Sequence, residues 1–411
     1  LEFVNGYFNG NPLGGTTLRI VVTNGGRMRI GAAHALGGSN LGGGSIDVLR
    51  IDGGTLTFDA EQYLGEGLSG GLGRLILRDA VVNGSGGNPR TADGGTVISV
   101  LASTITNVWS KGFEINYANA TIVVDDGVPT DDLSFLGNIA GTFSFIKAGA
   151  GRMALEAACG LAGHTLINGG TLALGPLGTL NSTPSFQLGT GAVLDVTART
   201  DFAIRSNQTL QGFGTVTGVV LTADGARVAP GGLGTAGTLD VGGVLALGAG
   251  ATNLFDLGAT TNEGAGVSDL VRVTGDLDVS NAILALTFTA PPANGTYRLF
   301  TYTGSLIGGF NTNLLVATSR SVALDTSTVG QVNLVVTGAS ADLVWNSFTN
   351  GAWSTGINAH WLDLATTNPA LFTAGDAVRL DDTVGVTTTL SMTGTLLPAT
   401  VVVTSSVNQF T

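Results

Sequence analysis

The chain has 411 residues, and its 65 Gly make up about 16%, against a usual share of roughly 7%. The 43% hydrophobic content and a mean hydropathy of +0.36 exclude a disordered chain, while the scattered Gly and only 10 Pro exclude collagen. With 17 Lys+Arg and a net charge of −12 there are too few cations for a nucleic-acid face, and no apolar run is long enough for a membrane-spanning helix.

The predicted elements are short alternating strands separated by Gly, Asn and Asp turns. In chain order they include Leu18–Val22, Ile46–Ile51, Thr55–Phe58, Leu75–Leu77, Thr121–Val124, Thr165–Ile167, Thr171–Leu174, Val193–Val196, Leu270–Val273 and Ile283–Phe288. No intervening segment has the 3.6-residue period and length of a crossover helix, so an all-β architecture is expected and an ordinary helical enzyme is not.

An Asx-Gly-Gly phrase that leads into a strand recurs at Asn24–Ile30, Asp52–Phe58, Asp93–Ile98 and Asn168–Leu174. Asx and Gly tolerate positive φ, which marks a tight turn. The spacing is too irregular for propeller blades. A strand, a tight turn and another strand, repeated many times, describe a parallel β-helix. At roughly 20–25 residues per coil and about 4.8 Å rise, some 340 residues give a rod on the order of 70–80 Å.

Lys147–Leu155 followed by Gly163–Gly175 fits the pattern K-x-G-x-G-x-L-x-L, then G-x-T-x-I-x-G-G-T-L-x-L-G, and so resembles the autotransporter-associated β-strand repeat. The usual link between the halves is replaced by Ala158–Gly163. Leu210–Gly218, Val228–Leu239, Ser268–Gly275 and Gly295–Phe300 with Gly304–Phe310 are similar to later steps of passenger sequences, so the resemblance covers about residues 140–338. It implies a right-handed parallel β-helix exported to the outside of a bacterial cell. Self-export through an autotransporter barrel is not expected, because no barrel sequence follows. The chain begins at Leu1 without a visible signal peptide, which reads as a mature product or a piece of something longer.

The expected organisation is residues 1–140 as N-terminal coils, 141–338 as passenger-type repeats, and 339–411 as a Trp-containing β module. Trp345, Trp353 and Trp361 cluster in that last segment, ahead of Phe372–Asp382. Such a segment resembles modules that accompany these repeats in giant exported proteins. Flat indoles could stack on sugar rings as a glycan platform; the alternative is that they fill a core.

Other chemistry is thin. His34, His164 and His360 are far apart and lack metal spacing, so surface or turn roles are expected. The Asp pairs 125–126, 131–132 and 381–382 sit at strand ends, where Asp serves as an Asx-turn residue; only Arg379 offers a nearby base for lyase chemistry. Gly42–Gly44 and Gly65–Gly73 lack the Lys-Ser/Thr and the following helix of a phosphate loop. Cys159, without a partner in the chain, reads as a small buried residue. No catalytic residue, cofactor or dedicated metal site is expected. Calcium enters only as an incidental ligand of acidic turns, since neither the Ca-binding nonapeptide nor an EF-hand loop is present.

Both ends read as apolar strand, which leaves open β-helix edges. Leu1, Phe3, Val4 and Phe8 at one end, and Val401, Val403 and Phe410 at the other, are expected to mediate head-to-tail association between copies. The leading expectation is a structural extracellular protein, the β-helical subunit of a surface fibre. An adhesin-like glycan-binding module is the alternative, and a polysaccharide lyase or hydrolase the third.

Overall fold

The computed structural model describes residues 2–3, 19–33, 36, 46–65, 72–258, 267–311, 314–347, 351–357, 359–383, 389–407 and 410. Every regular element among them is a β-strand, and most pairings are parallel. The chain packs as two compact units, Leu1–Ala226 with Asp240–Leu245, and Arg227–Leu239 with Ala246–Thr411.

In the first unit each turn of the chain lays down three strands, one on each of three ladders. Leu72–Arg78, Val81–Asn83 and Arg90–Thr91 make one turn; Thr96–Val100, Asn107–Trp109 and Phe113–Ile115 make the next. Each strand pairs in parallel with its counterpart one turn earlier, as in Val100 with Leu77, Trp109 with Val82 and Glu114 with Arg90. This is a parallel β-helix, and the all-β solenoid expected from the sequence is the fold found. Strand Ile139–Gly141 runs across position 140 with parallel partners on both sides, so the coils continue there without a break.

Alternation explains why few charges are needed. Along one ladder Ile51, Leu77, Val100 and Val124 stand in register and are all buried. Along another, Met28, Leu56, Val82, Trp109, Phe135, Leu155 and Leu174 do the same. Inward residues thus stack on like residues at the inter-strand spacing, which buries apolar area at every coil.

Polar groups inside the coils are satisfied by neighbouring turns. Asn107 Oδ1 accepts from Ala80 N–H at 2.9 Å, and its Nδ2 donates to Asp132 O at 2.9 Å and Ser103 Oγ at 2.8 Å. Lys147 is fully buried; its ammonium donates to the carbonyls of Ala148, Gly149 and Gly169 at 2.9, 3.0 and 3.1 Å. Burial lowers its pKa to about 8, partly offset by the Asp132 charge.

The Asx-Gly turn chemistry is visible at Asn24 (φ 53°) and Gly25 (φ 77°), where the chain turns from one parallel ladder to the next. At Gly170 (φ 60°) a Cβ would lie 2.5 Å from the carbonyl oxygens of Gly149 and Gly151, so the coil above leaves room only for glycine.

In the second unit Arg227–Pro230, Thr252–Leu257, Ile283–Phe288 and Leu315–Val316 form a parallel ladder. Antiparallel pairing then joins the parallel ladders. Gln331–Thr337 pairs antiparallel with Gly295–Tyr302, and Ser321–Asp325 pairs antiparallel with Gln331–Thr337. A separate five-stranded sheet follows, in the order Pro369–Ala370, Trp361–Asp363, Asp342–Trp345, Ala377–Leu380, Thr400–Val403.

Candidate functional site

The Trp-rich module is built around a core, and this corrects the glycan platform. Trp345 and Trp361 are direct cross-strand partners, which drives both indoles to the same face of the sheet. With Trp353 they are 1%, 1% and 4% exposed and pack with Leu343, Phe372, Val378 and Leu380. Trp345–Trp361 and Trp353–Trp361 meet edge to face at 5.1 and 5.3 Å. No ring face is open to a pyranose. The Nε1 atoms of Trp345 and Trp353 are buried without a hydrogen-bond partner, so these side chains serve as apolar bulk.

Buried Asp376 ties this module into the second unit. Its Oδ1 accepts from Ser319 Oγ at 2.5 Å and Ala341 N at 3.0 Å, and Oδ2 from Thr373 N at 2.7 Å and Thr373 Oγ1 at 2.9 Å.

The outer strand of the module is Thr400–Val403. It pairs in parallel with Ala377–Leu380 on one side and, among the described residues, has no strand on the other. Val401, Val402 and Val403 are 48%, 40% and 64% exposed, an unusual density of β-branched apolar side chains on an edge. Asp382 holds the chain that leaves this strand: its carboxylate accepts from Ser405 Oγ, from Ser406 N and Oγ, and from Val407 N at 2.6–3.0 Å.

Of the expected interface residues, Val401 and Val403 therefore lie on an exposed edge. Phe410 does not: it is half-buried against the Trp core, where its ring gains more from packing than from solvent. Strand Glu2–Phe3 pairs in parallel with Arg29 and Ile30 at the margin of its sheet. The side chain of Phe3, and all of Leu1, Val4 and Phe8, lie outside the described residues, as does His34.

Of the remaining candidates, Asp125 and Asp126 are exposed just past the end of strand Ala120–Val124, and most of the others have structural partners. Asp131 accepts from Arg152 Nε at 2.8 Å; buried Asp132 accepts from Gly127 N at 2.7 Å and Arg152 N at 2.8 Å. Asp381 accepts from Thr383 N at 2.9 Å, an Asx turn. Exposed His164 bonds Ser185 Oγ through Nδ1 at 2.8 Å, and His360 lies against the Trp345 ring at 5.4 Å. Cys159 is buried, and burial pushes its thiol pKa up. Among the described residues no three His, Cys, Asp or Glu side chains converge as a metal site, and no helix is long and apolar enough to cross a membrane.

Two features escaped the sequence reading. Asp269 is buried and accepts from Gly237 N at 2.6 Å and Asp256 N at 2.7 Å; burial pushes its pKa up to about 8. On the surface of the first unit, Tyr63, Arg90 and Glu114 stand in register on successive coils.

No family model matches the chain. Over 123 residues, 29% of the chain, it is 36% identical to the adhesin BmaC autotransporter of Brucella suis biovar 1 (strain 1330). The matched stretch is 4% of that protein, so the similarity links part of this chain to a small part of an autotransporter adhesin.

Proposed function

We propose that the chain is a non-enzymatic, surface-exposed segment of an exported bacterial protein, a β-helical passenger of the autotransporter-associated repeat type that associates with further copies of itself through strand edges. The observation that carries this reading is the Thr400–Val403 edge, which has no strand on one side among the described residues and whose three exposed valines invite a further strand. The occupant is a second copy. The similarity to an autotransporter adhesin supports an extracellular setting. Satisfied carboxylates at Asp131, Asp132, Asp381 and Asp382 favour this reading over a polysaccharide-degrading enzyme.

Sedimentation velocity over a concentration series tests it. Wild type is expected to form end-on oligomers that the double variant Val401→Lys/Val403→Lys shifts to at least tenfold higher concentration. A monomer throughout, or equal association of the variant, overturns the reading.

A further inference from the structure

The outward face of three successive coils in the first unit gathers a mixed aromatic and polar patch. Tyr63 stands one coil from Arg90, and Arg90 one coil from Glu114. Arg90 Nη2 lies 2.5 Å from Glu61 Oε2 and 3.5 Å from Glu114 Oε2, and its guanidinium carbon sits 5.9 Å from the centre of the Tyr63 ring. Asn88 and Asn116 donate through Nδ2 to the two oxygens of Glu114, at 3.3 and 3.1 Å.

Tyr117 completes the patch. Its ring meets Tyr63 at 5.6 Å and 68°, so the two rings form a corner, and Tyr117 is 45% exposed. The main chain that carries it is anchored: the backbone N–H groups of Tyr117 and Ala118 donate to the hydroxyl of fully buried Thr91, at 3.1 and 3.4 Å. Neighbouring Arg90 and the Tyr63 hydroxyl also lower the Tyr117 pKa, the Tyr63 hydrogen bond most.

We infer that this patch is a binding site for a neutral hexose-containing oligosaccharide. A pyranose offers a C–H face for the exposed Tyr117 ring and vicinal hydroxyls that donate to carboxylates and accept from guanidinium and amide groups. Both kinds of group are present here within one patch, with Tyr63, Arg90 and Glu114 on strands and Glu61, Asn88, Asn116 and Tyr117 on the segments that flank them. Charge selects neutral sugars. One guanidinium faces Glu61 and Glu114, and the chain as a whole carries −12, so uronates and sulfated sugars are repelled. The patch shares no residue with the Thr400–Val403 edge, and the inference is independent of self-association.

The test is calorimetry of the full chain with cello-, malto-, manno- and galacto-hexaose, and with oligogalacturonate. At least one neutral oligosaccharide is expected to bind at millimolar or lower concentration, with oligogalacturonate at least tenfold weaker. Tyr117→Ala and Glu61→Gln, each checked for an unchanged melting temperature, are expected to weaken binding tenfold or more. No neutral binding at millimolar concentration, equal binding of the acidic sugar, or full binding by Tyr117→Ala overturns the inference.

Discussion

The Trp109 indole stacks on the Phe135 ring, centroids 5.4 Å apart and 15° from parallel, and the two residues are Cα partners on adjacent coils. Register in a parallel ladder places like on like, so one coil's aromatic is the floor for the next. Trp109 also packs against Phe58 and Phe113. Trp109→Ala is expected to destabilise the first unit by about 3–5 kcal/mol, the usual cost of emptying a large aromatic from a core. Urea unfolding followed by Phe and Tyr signals measures it. A cost within about 0.5 kcal/mol, typical of a surface change, would contradict the ladder.

Lys147 acts as an interior clasp for three carbonyls of its own and the following coil. Lys147→Met keeps the stem volume and orphans those acceptors. A loss of several kcal/mol is expected, at about 1–3 kcal/mol per buried unsatisfied group. Since the folded pKa lies below the unfolded value of about 10.4, the unfolded chain binds more protons between about 8 and 10. Wild-type stability should therefore gain a contribution as pH rises through that window, and Lys147→Met should lack it.

Asp269 has the opposite linkage. Its folded pKa of about 8 lies above the unfolded value of about 3.9, so its contribution is full below pH 4 and is lost as pH rises toward 8. Asp269→Asn, which mimics the protonated form, should flatten this part of the profile. Melting temperatures of both proteins between pH 4 and 8 give the comparison; parallel profiles would refute the assignment.

Trp361→Ala removes the ring that touches Trp345, Trp353 and Phe372. It should melt the C-terminal module at about 3–5 kcal/mol lower stability and leave oligosaccharide binding at Tyr117 unchanged. Near-UV circular dichroism and calorimetry separate the two effects. Lost sugar binding with an intact dichroism signal would restore a role for the indoles in recognition.

The fold was legible because turn chemistry and alternation are local. Asn24-Gly25 and the Thr171–Leu174 strand announce themselves in a few residues. The glycan patch was not, because its members are brought together by register alone. Steps from Thr96 to Ala120, Ala120 to Phe145 and Phe145 to Thr165 are 24, 25 and 20 residues, so no fixed period aligns Tyr63, Arg90 and Glu114 on the page. The Trp cluster was legible as a cluster but not in its direction. Cross-strand pairing of Trp345 with Trp361 decides that, and their spacing in sequence does not encode it.

The most direct test of strand-edge association is hydrogen exchange at Thr400–Val403 as a function of protein concentration. Adding a strand would hydrogen-bond amides that now face an open edge, so protection there should rise with concentration while Trp109 and Phe135 stay protected throughout. Exchange at Thr400–Val403 that is the same at every concentration, in samples that nonetheless oligomerise, would contradict the account.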